Sequence, residues 1–448
     1  MALSQRLALD AAREIMSGPR AVEAPRLKSL SDALRTRRSP GEYQITAQVP
    51  EDAPLLMKEI ARKSETNYLP LLVKTFAQVM KVDGYVSASD PGAVDPWVWW
   101  QRNRFDSAQT GLTRAVLQYG TAYATALPGV WGRGQPGPSF RCYSPREMTA
   151  VYQDDADEWP MLALAMRGDH VTLYDEECRY IFGTSSGGLS LTYITTEGHD
   201  LGVCPVVRYR DRNLLAGEEQ LGIVEPLLTV SERIGETTFQ MMVAQYFQIF
   251  KQRYLIGWVP KSEREELKTG AAIMWYLDKD PSEVKLGELD AASITPYIEA
   301  RTSAIRDFAA LGQIPAQSLG VDGISNISDA TLAGLEAAKN RESGEIQTSV
   351  GEAHEQLLRL GAFIDGNMAS ADDYTGEVRW RDFEARSFAQ TVDGIVKLAQ
   401  GLGLPAEVAL EDVPGFTGQK LDRALKAIAR QRGRATLDAL VSPAVAGG

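Results

Sequence analysis

The chain has 448 residues, of which 44% are hydrophobic and 24% charged. That is enough for two or three domains with packed cores, and too apolar for wholesale disorder. The formal charge is -12, opposite in sign to what a broad, non-specific grip on nucleic acid requires, although a local basic patch remains compatible with it. Cys142, Cys178 and Cys204 stand far apart without C-x-x-C spacing. They predict neither a disulfide framework nor a zinc site, and a reducing compartment is expected.

No apolar core of signal-peptide type occurs between Met1 and Ser31. The best membrane candidate, Phe239 to Phe250, is interrupted by Gln240, Gln245 and Gln248 and is shorter than the roughly 20 apolar residues a span needs. A soluble protein is expected.

In chain order, residues 1–50 predict a short helix and an arm carrying Pro19, Pro25 and Pro40. Leu56, Ile60, Leu72, Phe76 and Val79 recur at helical spacing, interrupted by Pro70. Pro96 opens a helix with Trp97, Trp100, Phe105 and Leu112 on its apolar side, and its continuation is read to about Leu127, before Pro128 and Gly129. Short β-rich runs follow at 147–152, 160–167, 171–176, 178–183, 189–195 and 203–210, separated by turn-like breaks; this is a β-meander pattern.

Three long helical segments come next. The first runs from about Ile223 to Tyr254, with Phe239, Val243, Phe247, Phe250 and Tyr254 on one stripe and Met241, Met242, Tyr246 and Ile249 beside it. A helix apolar nearly all round must be covered on more than one side, and each large side chain left bare forgoes roughly 1.5–3 kcal/mol. Neighbouring copies of the chain are one answer. A small insert, 255–290, holds two strand-like runs around the charged stretch Lys261 to Lys268. The second helix starts near Pro296 and stops at Gly312 and Pro315. A Gly-rich loop then leads to Ser328, a candidate cap for a third helix reaching about Phe363. That helix would be about 54 Å long, polar from Glu336 to Thr348, and weakened at Gly334, Gly344 and Gly351 by about 1 kcal/mol each. A strand-like run, Glu377 to Phe383, precedes helical stretches at 387–401, 405–411 and 417–440.

Helix, insert, returning helix, loop and very long helix describe a hairpin stalk whose bare sides neighbours in a closed ring would cover. At the level of residues, His199-Asp200-Leu201-Gly202-Val203-Cys204-Pro205-Val206-Val207-Arg208-Tyr209 and Arg253-Tyr254-Leu255-Ile256-Gly257 resemble the wing-to-stem passage of siphophage portal proteins. Ala310-Leu311-Gly312-Gln313-Ile314-Pro315-Ala316-Gln317-Ser318-Leu319-Gly320, with Asn326 to Ala330, resembles their second stem helix, tunnel loop and tunnel helix. Trp100 to Asp106 with Leu117 to Tyr123 resembles their wing helices. The resemblance runs in order over roughly residues 50–440.

The resemblance implies an α+β fold with a mixed wing, a helical-hairpin stem, a small clip, a long tunnel helix and a helical crown. The implied divisions are an N-terminal helix and arm (1–39), wing (40–220), first stem helix (221–254), clip (255–290), second stem helix (291–313), tunnel loop and helix (314–364), wing return strand (365–385), and crown helices with tail (386–448). The implied function is a ring of about twelve copies at one capsid vertex, a conduit for packaging and ejecting double-stranded DNA, assembled in a bacterial cytoplasm. Implied partners are the terminase large subunit, a head-completion or adaptor protein, and the major capsid and scaffold proteins; no membrane, cofactor, metal or catalytic residue is implied.

The implied channel loop is Gly320, Val321, Asp322, Gly323, Ile324, Ser325, Asn326 and Ile327, with one charge, at Asp322. Since duplex binding tightens through Lys and Arg, such a loop is expected to touch DNA without gripping it. Phe239, Val243, Phe247, Phe250 and Tyr254 are candidates for packing between stems, and Trp258, Trp275 and Tyr276 for the clip. Lys420, Arg423, Lys426, Arg430, Arg432 and Arg434 stand against Asp422 and Asp438; they suit contact with packaged DNA, contact with an acidic neighbour, or a merely solvated face.

A nucleotide- or metal-dependent enzyme is the reading from another class. Gly132-Arg133-Gly134-Gln135-Pro136-Gly137 matches G-x-G-x-x-G, but a strand-like run rather than a helix follows, so a hairpin tip is predicted. Asp154, Asp155, Asp157 and Glu158 lack EF-hand spacing and read as a solvated turn. His170, His199 and His354 are scattered and read as structural, as does the Trp97-Trp99-Trp100 cluster. A smaller connector or a scaffold protein is a third reading, which leaves the stem–loop–long-helix order unexplained.

Overall fold

The computed structural model describes residues 2–35, 53–87, 95–184, 190–215, 217–249, 253–257, 280, 284–288, 293–321, 329–381, 388–402, 409–410, 413, 420, 423–431 and 433. In chain order the elements are α1 (Gln5–Ser17), α2 (Pro19–Ala33), α3 (Leu55–Ser64), α4 (Leu69–Val79), β1 (Val82–Val86), α5 (Trp97–Arg102), α6 (Phe105–Tyr119), β2 (Thr121–Trp131), β3 (Gln135–Tyr143), β4 (Met148–Val151), β5 (Leu162–Arg167), β6 (His170–Tyr174), β7 (Cys178–Thr184), β8 (Leu191–Gly198) and β9 (Val206–Arg210). Then follow α7 (Leu228–Ile249), β10 (Arg253–Ile256), β11 (Lys285–Glu288), α8 (Thr295–Leu311), α9 (Asp329–Ile364), α10 (Met368–Ala371), β12 (Glu377–Trp380) and α11 (Phe388–Leu402). The chain divides into two compact units, one of residues 1–28, 74–222 and 327–448, the other of 29–73 and 223–326.

The first unit is layered. Strands β4 to β8 form an antiparallel five-stranded meander in sequence order. Because side chains alternate along a strand, its two faces serve different neighbours. Leu164, Val171, Leu173, Tyr180, Phe182 and Leu191 pack against Ala8, Ala12 and Ile15 of α1. Met148, Ala163, Ala165 and Tyr174 pack against Tyr123, Leu127 and Tyr143 of a three-stranded sheet, ordered β3-β2-β9. On the far side of that sheet lie α5, α6 and the C-terminal half of α9.

Three sequence readings change here. The helix read to Leu127 ends at Tyr119, where Gly120 adopts φ 81°, and residues 121–131 are the central strand β2. Its alanines made it look helical. In the sheet, Ala122, Ala124 and Ala126 are wholly buried, while Tyr123 and Leu127 enter the core between the sheets; pairing on both edges overrides a weak local preference. The six-strand meander is five strands, since β9 leaves it to pair with β2. Where the N-terminal short helix and arm were expected, residues 5–17 and 19–33 form two helices, α1 and α2; residues 36–52 lie outside the described residues. Strand β1, absent from the sequence reading, pairs antiparallel with β12.

An aromatic cluster holds α9 to this unit. Trp100, Phe105, Tyr209 and Trp380 surround His354, with ring centres 5.0, 6.0, 5.0 and 6.2 Å away. The His354 Nδ1 shares a 3.1 Å hydrogen bond with the Tyr209 hydroxyl. Burial holds its imidazole down to about 3, so it is neutral. Gly361 of α9 leaves room for the Phe140 ring, which would stand 2.7 Å from a Cβ there, and Gly351 leaves room for Val378 and Trp380. Two helix-weakening glycines are thus explained by close approach of neighbours.

The chain folds back tightly at Gly222, where φ is 69°. A Cβ at this residue would lie 2.7 Å from the Gly120 nitrogen and 2.8 Å from the Leu117 carbonyl oxygen. Gly202 has a similar φ of 71° but open space around it. Gly222→Ala should therefore cost roughly 2 kcal/mol or more and Gly202→Ala only about 1 kcal/mol, read from urea unfolding midpoints; equal costs would contradict the close approach.

Candidate channel-forming and subunit-packing elements

The second unit is built around a helical hairpin. The Arg301 Nε donates to Thr238 Oγ1 at 3.0 Å, and Arg233 pairs with Asp307. As the number rises on α7 it falls on α8, so the two helices run antiparallel. At the base, Ile234, Gly235 and Thr238 of α7 and Ala304, Ile305, Phe308 and Ala309 of α8 are buried. Tyr68 adds its ring 6.1 Å from that of Phe308. Helix α8 stops where Gln313 takes φ 51° and the Ile314 N–H reaches back to the Ala309 carbonyl at 3.0 Å, a left-handed helix end usually given to glycine.

Further along α7 the cover thins. Phe239, Met241, Met242, Val243 and Tyr246 are half-buried, Phe247 is 37% exposed and Ile249 64%. Across from them on α8, Ile298 is 51% exposed. Of the stripe read from the sequence, Phe239, Val243 and Phe247 lie on α7; Phe250 lies outside the described residues. Tyr254 is 45% exposed on β10, where its ring lies over Gly287 of β11 in an antiparallel pair. Trp258, Trp275 and Tyr276 lie outside the described residues.

Of the candidate loop, Gly320 ends a 3₁₀ turn with φ 78° and Val321 is buried; Asp322, Gly323, Ile324, Ser325, Asn326 and Ile327 lie outside the described residues. Helix α9 spans 36 residues, about 54 Å, as the sequence predicts. Ile346, Val350, Ala353, His354, Leu357, Leu358, Leu360 and Ala362 are buried. In its polar middle, Glu342 and Glu345 stand 2.6 and 4.0 Å from the Arg212 guanidinium. Lys420, Arg423, Lys426 and Arg430 are helical and exposed.

Beside Arg212 sits a carboxylate that the sequence did not single out. The Asp211 side chain is only 2% exposed, its Oδ2 lies 3.6 Å from Arg212 Nε, and its Oδ1 has no hydrogen-bond partner among the described residues. Burial pushes this carboxyl up to about 6, with Arg212 pulling the other way. The turn at 154–158 is less idle than its solvated reading: Asp155 pairs with Arg208 at 2.5 Å and Arg210 at 3.0 Å, and Glu158 with Arg359 at 3.5 Å.

The other readings fall as follows. The G-x-G-x-x-G segment is the tip of the β2–β3 hairpin, so no helix N-terminus faces a phosphate. Trp99 and Trp100 are core residues, with Trp97 stacked on Trp100 at 4.8 Å. His199 sits in a turn, its Nε2 3.2 Å from the Asp175 carbonyl. The three cysteines are unbridged, and burial pushes the Cys142 thiol up to about 12. Among the described residues no helix is long and apolar enough to cross a membrane, and no His, Cys, Asp and Glu cluster suited to a metal occurs.

A layered α/β unit and a unit built on an antiparallel helical hairpin with a strand pair beyond it, in a chain that also carries a 36-residue helix, are the parts of a ring-forming channel subunit. The family profile of the phage portal proteins of SPP1 Gp6-like type matches residues 56–434, and the chain belongs to this family. It is a subunit of the portal ring at a capsid vertex, the passage for packaged DNA, and the family is one of structural proteins. Among solved structures, a chain from the neck of an empty gene transfer agent particle computed with C6 symmetry is 14% identical, with a TM-score of 0.50 over 80% of this chain and 96% of that one. Chains from the virion of a native particle and from its neck computed with C12 symmetry are 15% and 13% identical, each over 80% of this chain and over 91% and 92% of theirs, with TM-scores of 0.46. No curated protein matches.

The buried Asp211 gives a pH prediction. Its folded pKa of about 6 lies above the unfolded value of 3.8, so its contribution to stability is fully present below 3.8 and lost as pH rises through 6. Asp211→Asn, which cannot ionise, should gain on the parent by on the order of 2–3 kcal/mol between pH 4 and pH 7.5. His354 titrates with the opposite sign but equally in both proteins. A pH-independent difference in urea midpoints would contradict the assignment.

Proposed function

We propose that about twelve copies close into the ring, with the α7–α8 hairpin of each packed against its neighbours, and that the ring serves both packaging and ejection of double-stranded DNA. The observation that carries this reading is the half-covered apolar length of α7 and the exposed Ile298 of α8. A closed ring covers such a face from both sides without leaving an end. In this reading Phe239, Val243, Phe247 and Phe250 form the packing surface; Tyr254, expected on the same helical stripe, belongs instead to β10, because α7 ends at Ile249 and Arg253–Ile256 pair with β11. Residues 255–290, with Trp258, Trp275 and Tyr276, are the clip that docks the terminase large subunit and later the head-completion or adaptor protein. Residues 40–220 and 365–385 form the wing, and residues 386–448 the crown. The major capsid and scaffold proteins meet the assembly at the vertex. ATP hydrolysis belongs to the docked terminase, and the chain itself acts as a conduit assembled in the host cytoplasm.

Phe247→Glu tests the packing surface. Its side chain is partly exposed within one chain, so the isolated subunit should fold, with unchanged far-UV circular dichroism, while rings disappear in favour of subunits of 49.1 kDa. Rings at the parent's yield would refute the assignment.

Residues 320–327 are proposed to line the channel as a sliding collar, because their one charged residue is Asp322 and duplex binding is driven by cationic side chains. Replacing Ser325 and Asn326 by Lys would add two phosphate contacts per copy. Nuclease-protected DNA per particle should fall several-fold; unchanged packaging would remove the collar from the account.

A further inference from the structure

The basic segment near the end of the chain has a sidedness that the sequence alone leaves open. Residues 423–431 are helical. Arg423, Lys426 and Arg430 are exposed, and at helical spacing they share one face. Ala424, Leu425 and Ile428 are half-buried. The helix therefore covers an apolar side and turns its cations outward. Ala427, exposed between Lys426 and Arg430, is too small to keep a flat surface away from the helix. Among the described residues no carboxylate pairs with Arg423, Lys426 or Arg430.

The charge is segregated as well as exposed. From Lys420 to Arg434 six cations stand against Asp422, a formal +5 in a chain of -12, which leaves -17 for the rest. Arg423 and Arg430 are seven residues apart, about 10 Å along the helix. Duplex DNA presents one negative charge per roughly 1.7 Å of its axis, so a face of this length meets several phosphates at once. The face carries long cations and small apolar residues, and its chemistry fits the backbone rather than base edges.

We infer that Arg423, Lys426 and Arg430 form a sequence-independent phosphate-binding face for duplex DNA. The inference rests on the portal reading only for its setting, since a ring would present one such face per copy and multiply a weak interaction by avidity. It places a gripping surface near the end of the chain, distinct from the nearly uncharged loop at 320–327.

The test uses the full-length chain, as assembled rings, with a fluorescent 30-base-pair duplex of arbitrary sequence titrated from 50 to 200 mM salt. The parent is compared with Arg423→Gln/Lys426→Gln/Arg430→Gln, and with Arg62→Gln/Lys63→Gln/Lys74→Gln, which removes the same charge from other exposed positions. The first variant should bind at least 10-fold more weakly, and the slope of log affinity against log salt should flatten by about 0.9 for each phosphate that is no longer neutralised. The control should match the parent, and two duplexes of unrelated sequence should bind alike. Parent-like binding by the first variant overturns the inference, as does a parent that binds no DNA or discriminates between the duplexes. Loss of rings in the first variant alone assigns the face to an acidic neighbouring copy and also overturns it. If no protein forms rings under electron microscopy, the ring reading fails separately, and the same comparison on single subunits still decides the phosphate face.

Discussion

Helix α7 cannot satisfy its own surface. Its base is buried against α8, with Thr238 held by Arg301 and Arg233 paired to Asp307, but beyond Phe239 the partner helix covers only part of a side chain array that is apolar nearly all round. Phe247 and Ile249 face outward on α7 and Ile298 on α8. At roughly 1.5–3 kcal/mol for each large side chain removed from water, a handful of such residues per copy, multiplied around a ring, is a large driving force for association. The family assignment and the proposed closure both fit this incomplete cover. The zipped base makes the hairpin a defined object, and the bare length gives it a reason to find neighbours.

The long helix α9 solves a different problem. Most helical stability in proteins comes from packing rather than propensity, and this helix of 36 residues with a polar middle is held through its C-terminal half and its middle. Its C-terminal half is built into the layered unit through Leu357, Leu358 and the rings around His354. Its middle is tied by charge, with Glu342 and Glu345 gathered on Arg212 beside the buried Asp211. The two attachments respond to pH in opposite directions. Acid favours Asp211, which becomes neutral in a buried site, and disfavours His354, which is buried neutral.

Much of this was legible in the sequence because it rests on periodicity and on strong stop signals. The ends of α8 and α9 fell where Pro296, Gly312 and the candidate cap region place them, and five of the predicted strands formed the meander in order. The exceptions have physical causes. Strand β2 was read as helix because alanine favours helices, yet Tyr123, Thr125 and Leu127 alternate with alanines that let helices approach the sheet, a period of two that the composition obscured. Strand β1 was missed because it is five residues long and owes its existence to pairing with β12, some 290 residues away in sequence. Asp211 carried no local signal at all; its burial comes from β9, α6 and α9 converging. Of the candidate site, the apolar stripe and the exposed basic face could be read from helical spacing, whereas the side each turns to its surroundings needed the fold.

The central claim is that the bare hairpin is completed by copies of the same chain. Light scattering of the purified protein, combined with negative-stain images, tests it most directly. Twelve copies of 49.1 kDa give a particle of about 590 kDa, and closed symmetry gives a ring with a central hole. Such particles, lost on placing a charge at Phe247, are the predicted result; a compact dimer, stable on dilution and unaffected by that charge, would contradict the account.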